Sequence, residues 1–71
     1  MTFDRMEELL DKLIYLRIAF DKYNMSAEYD IATKLMKRLG LHYDDDNMIE
    51  EECYTLINNH QELMNKFYYY L

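Results

Sequence analysis

The sequence predicts an all-α fold, a three-helix bundle of two long helices and one short one. Three observations carry that expectation. Apolar residues recur at alternating steps of three and four in both the first and the last third of the chain. That spacing keeps one side of a helix apolar. Capping residues stand ahead of each apolar run. Finally, proline is absent and Gly40 is the one glycine, so the turn residues on which hairpins and loop-built sites depend are missing.

The first helix is expected over residues 4–23. Asp4 and Glu7 have the spacing of a capping box, in which each side chain satisfies a backbone N–H of the first turn. Met6, Leu9, Leu13, Leu16, Phe20 and Tyr23 then form a heptad seam, widened by Leu10. Ile14, Tyr15 and Ile18 lie off that seam. They make a second apolar stripe, which a helical hairpin alone leaves in water.

Asn24-Met25-Ser26 reads as a turn, with Ser26 capping a shorter helix over 27–39. Glu28 and Asp30 suit its positive end, and Lys34, Lys37 and Arg38 its negative end. Its apolar side is Ile31, Ala32, Leu35, Met36 and Leu39. Gly40 is placed for the left-handed position of a Schellman motif, with Leu41 folding back on Met36. His42 to Asp46 form the one expected loop. Asn47 and Glu50 repeat the capping-box spacing and start a third helix over 47–70. Its seam is Ile49, Cys53, Leu56, His60, Leu63, Phe67 and Tyr70, flanked by Ile57 and Met64. The whole of 1–71 reads as one domain without internal repeats.

Size and composition narrow the function classes. In a domain of 71 residues a single core supplies about 3–5 kcal/mol, so a staple or a partner subunit is a common supplement. Cys53 is the only cysteine, which excludes a disulfide within the chain and fits a reducing, cytoplasmic setting. No secretory pattern opens the chain, and no apolar run has the length of a membrane span. The net charge of −6 is uneven. Asp44, Asp45, Asp46, Glu50, Glu51 and Glu52 meet no base within 42–52, while acids and bases nearly balance elsewhere. That excess disfavours nucleic acid and anionic membranes as partners.

No catalytic, cofactor or metal site is expected. Cys53 and His60 are seven residues apart, about 10 Å along one helix. They read as a buried thiol and a hydrogen-bonded seam histidine. A calcium loop starting at Asp44 fails, because its sixth position holds no glycine and its twelfth falls on Thr55. The candidate partner-binding residues are instead Ile14, Tyr15 and Ile18, the acids Asp44, Asp45 and Asp46, and Tyr68 and Tyr69 of the tyrosine-rich tail. Eight tyrosines are many for this length, and tyrosine buries much area at interfaces while losing few rotors.

Residues 6–39, a helix, the turn Lys22-Tyr23-Asn24-Met25-Ser26 and a second helix, resemble the small sporulation aspartyl-phosphate phosphatases of bacilli. Those proteins carry a Ser-Gln-x-x-Leu-Asp type signature on the second helix. The matching stretch Ala32-Thr33-Lys34-Leu35-Met36 has neither the serine nor the acid, so the resemblance implies a helical hairpin and no active residue. In size and acidity the chain also looks like the accessory proteins of phages and mobile elements, including anti-CRISPR and anti-restriction inhibitors. The expectation is therefore a non-enzymatic, homodimeric or larger interaction module that regulates or inhibits another protein. The alternative is a small nucleic-acid-binding transcriptional regulator using Lys34, Lys37 and Arg38 of the second helix.

Overall fold

The computed structural model describes residues 1–44 and 48–68, with the backbone alone for Tyr68. Among the described residues all regular structure is helical: α1 (Phe3–Lys22), α2 (Ser26–His42), α3 (Ile49–Asn59) and α4 (Gln61–Tyr68). The expected third helix is two helices, and the count is four rather than three.

α1 begins one residue after its cap, which is Thr2 and not Asp4. The Thr2 side chain accepts from the Arg5 backbone N–H at 3.2 Å, and its extended backbone turns the chain into the helix. Asp4 sits inside the first turn, where its charge still faces the positive end of the helix dipole. At the far end, Asn24 takes φ 58. The Met25 N–H donates to Phe20 O at 2.8 Å and the Asn24 N–H to Asp21 O at 3.2 Å. These are the two bonds of a Schellman motif, with asparagine rather than glycine in the left-handed position. Met25 then packs against the core cluster that contains Phe20.

The expectation for Gly40 is corrected accordingly. Its φ is not positive, and α2 runs through it to His42. Extending the helix carries Tyr43 onto the core and sets its ring edge-on to Phe3, centroids 6.1 Å apart. A chain reversal at Gly40 would forfeit that packing. Ser26 is likewise the first residue of α2 rather than its cap. That position falls to Met25, which makes no side-chain capping bond. For α3, the N-cap is Met48, and Glu50, Glu51 and Glu52 occupy the first turn; Asn47 of the expected capping box lies outside the described residues.

The break between α3 and α4 has a local cause at His60. The His60 ring Nδ1 lies 2.8 Å from the carbonyl oxygen of Leu56, so the ring donates where the backbone N–H of His60 would in a continuous helix. That N–H turns instead to Ile57 O at 3.1 Å. The backbone of His60 moves to φ −125, ψ 27, and its own carbonyl accepts from the Met64 N–H at 3.0 Å to start α4. A side chain entering the ladder is a recognised cause of a helix kink.

The first helix is the centre of the packing, touching all three others. Met6, Leu9, Leu13, Leu16 and Phe20 are buried as the seam requires, against Ala32, Leu35 and Leu39 of α2 and Ile49, Cys53, Leu56 and Ile57 of α3. Removing a large side chain such as Phe20 or Leu13 fully from water contributes roughly 1.5–3 kcal/mol. Ile31 departs from the expected pattern and stands exposed at the edge of α2. Across the helices, Arg5 reaches Glu50 of α3 at 3.3 Å and lies over the Tyr54 ring at 5.6 Å. Arg38 of α2 reaches Glu52 of α3 at 2.6 Å. Both pairs are half-exposed, so each fixes orientation more than it stabilises.

Candidate interaction surfaces

Helix periodicity decides what the second stripe of α1 does. With Leu9, Leu13, Leu16 and Phe20 turned into the core, Ile14, Tyr15 and Ile18 must point the other way, and they are 42, 42 and 48% exposed. Two β-branched residues and an aromatic thus face water on the longest helix. Isolated apolar residues on a surface are ordinary, whereas a contiguous group on one helix face is the pattern of an association site. Charges of both signs share the helix with the stripe: the acids Asp11 and Asp21 and the bases Lys12, Arg17 and Lys22. Tyr15 also lines a mainly apolar hollow of about 310 Å³ with Met64 and Phe67 of α4.

A second opening, which the sequence reading did not find, lies between α2 and α3. It is a groove of about 440 Å³, lined by Ile31 and Leu35 from α2, and by Met48, Leu56, Thr55 and Asn59 on the α3 side. Glu51 and Glu52 border it. Ile31 is 48% and Met48 63% exposed. The signal available in the sequence was the acidic first turn of α3 beside Met48. What it could not supply was the angle between α2 and α3.

The remaining expected site residues fall as follows. Asp44 is exposed, in the turn that follows α2. Asp45, Asp46 and Tyr69 lie outside the described residues, as does Tyr70, and the backbone of Tyr68 is the last position of α4. Lys34 and Lys37 are exposed on α2, but Arg38, the third base of the nucleic-acid reading, is engaged by Glu52.

Cys53 and His60 occupy separate environments. Cys53 is fully buried, a free thiol in the core. Burial, and to a lesser degree the nearby Glu52 and Glu50 carboxylates, push its pKa up to about 11 against the lowering effect of Arg38. It is a neutral, packed thiol at physiological pH. His60 is half-buried, held by the Leu56 carbonyl and set edge-on against the Phe20 ring with centroids 4.8 Å apart. Among the described residues no three His, Cys, Asp or Glu side chains are grouped to hold a metal, and no helix is long and apolar enough to cross a membrane.

Among the described residues these features define an all-α helical bundle around a shared core, with open apolar surfaces on α1 and between α2 and α3. No protein-family model, no curated protein and no solved structure matches the chain.

Proposed function

We propose that this chain is a non-enzymatic protein-interaction module that self-associates through α1 and regulates or inhibits a larger partner protein. The observation that carries the reading is the exposed stripe of Ile14, Tyr15 and Ile18 on the helix that organises the whole core. A helix seated on three others presents its outer face as a rigid surface, so docking onto it costs little ordering entropy. The mixed charges along α1 favour a second copy of the same chain, since a two-fold contact opposes each patch to itself and can set acid against base. Small size adds a reason. A core of about 3–5 kcal/mol gains directly from any equilibrium that binds only the folded state.

Sedimentation equilibrium over a range of protein concentrations tests the reading. The expected result is a reversible transition to a dimer or larger assembly, which Ile14→Glu abolishes without loss of helical circular dichroism. A single monomeric species at every concentration would remove self-association, and the stripe would then be a face for a different protein.

A further inference from the structure

We propose that the groove between α2 and α3 docks an amphipathic helix with a basic flank, supplied by the partner protein. The inference rests on the reading of the chain as an interaction module and assigns the heterologous partner to a surface distinct from the α1 stripe. The groove is apolar along its walls, with Ile31 and Leu35 on one side and Met48 and Leu56 on the other. Its volume of about 440 Å³ falls in the range of clefts that accept ligand groups, about 300–1,000 Å³. Ile31 and Met48 are among the most exposed large apolar residues of the described chain, and the thioether of a methionine adapts to differently shaped occupants.

Charge selects the occupant. The ionisable residues that line the groove are Glu51 and Glu52, both acids. They belong to an α3 first turn that also holds Glu50, and the sequence from 42 to 52 carries six acids and no base. Arg38 reaches Glu52 from α2 and offsets part of this field, leaving the Glu51 side of the rim negative. A helix that places apolar residues at i, i+3 and i+4 into such a groove meets these carboxylates with its flanks, where lysine or arginine is favoured. A second copy of this chain is a poor occupant. It brings a net charge of −6 to an acidic rim, a like-charge juxtaposition that opposes the contact.

The test uses the full chain, isotopically labelled, and a synthetic amphipathic peptide of leucine and lysine, with a leucine–glutamate peptide of the same pattern as counterpart. The lysine peptide is expected to bind saturably and to shift the amide signals around Leu35 and Leu56. Ile31→Glu is expected to weaken it by at least about tenfold, and Glu51→Lys to weaken it and flatten its salt dependence. Both positions are exposed, so the fold tolerates them, and circular dichroism checks this. Ile18→Glu, which tests the α1 stripe, is expected to leave the peptide affinity unchanged. The proposal is overturned if the lysine peptide fails to saturate. Shifts that map to Ile14 and Ile18, equal binding of the glutamate peptide, or Ile31→Glu binding like the unmodified chain would each overturn it too. Those outcomes leave self-association through α1 standing, and a monomeric chain that binds the lysine peptide at Leu35 and Leu56 would do the reverse.

Discussion

His60 binds the carbonyl oxygen of Leu56 with its own ring, Nδ1 to oxygen 2.8 Å, and so ends α3 from within. A carbonyl can only accept, so the neutral ring carries its proton on Nδ1. The same ring stands edge-on to Phe20, which ties the kink to the centre of the core. Removing the ring deprives Phe20 of its edge-on contact and the Leu56 carbonyl of its side-chain partner. His60→Ala is therefore expected to destabilise the domain by about 1–3 kcal/mol. Urea denaturation followed by circular dichroism checks this. An unchanged midpoint would mean that the ring contributes nothing to the packing.

Gly40 provides a test with the opposite sign. It lies inside α2 with no positive φ, and a Cβ added there meets nothing within 4 Å. Alanine in an exposed helix interior is favoured over glycine by about 0.5–1 kcal/mol. Gly40→Ala is thus expected to raise the thermal midpoint. If Gly40 were the left-handed cap that its sequence position suggests, the same substitution would lower it.

How much of this was legible in the sequence depends on which force decided each feature. The α1 seam was legible, because five of its six residues are buried and burial is what a heptad pattern encodes. The turn at Asn24-Met25-Ser26 was legible to within one residue, whereas the end of α2 was not, since asparagine and glycine can each adopt the left-handed conformation and only tertiary packing chose Asn24 over Gly40. The pattern of α3 and α4 ran straight through His60, because a kink that keeps Leu56, Ile57 and Phe67 buried leaves the apolar spacing intact. Asn58-Asn59-His60, three weak helix formers in a row, was the available signal. The α1 stripe was legible as an unsatisfied face. Its occupant was not, because a surface shows what it would bury and not against what. The groove between α2 and α3 required the helix angles, which no periodicity contains.

The Cys53 thiol is expected to be inert in the folded protein. A pKa pushed up to about 11 by burial leaves almost no thiolate at pH 8, and the side chain has no exposed surface. A thiol reagent such as Ellman's should then react only as fast as the domain opens, and at once in denaturant. The shift has a consequence for stability. The proton is held more tightly in the folded state, so the contribution is complete below the ordinary thiol value of 9.0 and is lost as pH rises toward about 11. Cys53→Ala is expected to flatten the alkaline limb of the pH–stability curve between those limits. Rapid labelling of the native chain at pH 8 would contradict the buried placement.

Leu13 measures how narrow the margin of the core is. It is fully buried at the centre of the α1 seam, and Leu→Ala at such a site costs about 2–5 kcal/mol. A single small core supplies about 3–5 kcal/mol. Leu13→Ala is therefore expected to be largely unfolded at low protein concentration. Partial recovery of helicity as concentration rises would show assembly contributing to stability. A variant with a melting transition within a few degrees of the unmodified chain would mean that the α1 seam is not the principal core.

Self-association through the outer face of α1 is the central claim, and Ile18 is where it is most exposed to test. The side chain is 48% exposed, so glutamate there is accommodated in an isolated chain and costly only when the face is covered. At a two-fold contact the charge is repeated on both subunits. Light scattering at tens of micromolar is expected to give at least twice the 8.8 kDa of one chain for the unmodified protein, and the mass of one chain for Ile18→Glu. An unmodified protein that scatters at 8.8 kDa, or an Ile18→Glu variant that keeps the full assembly mass, would contradict the account.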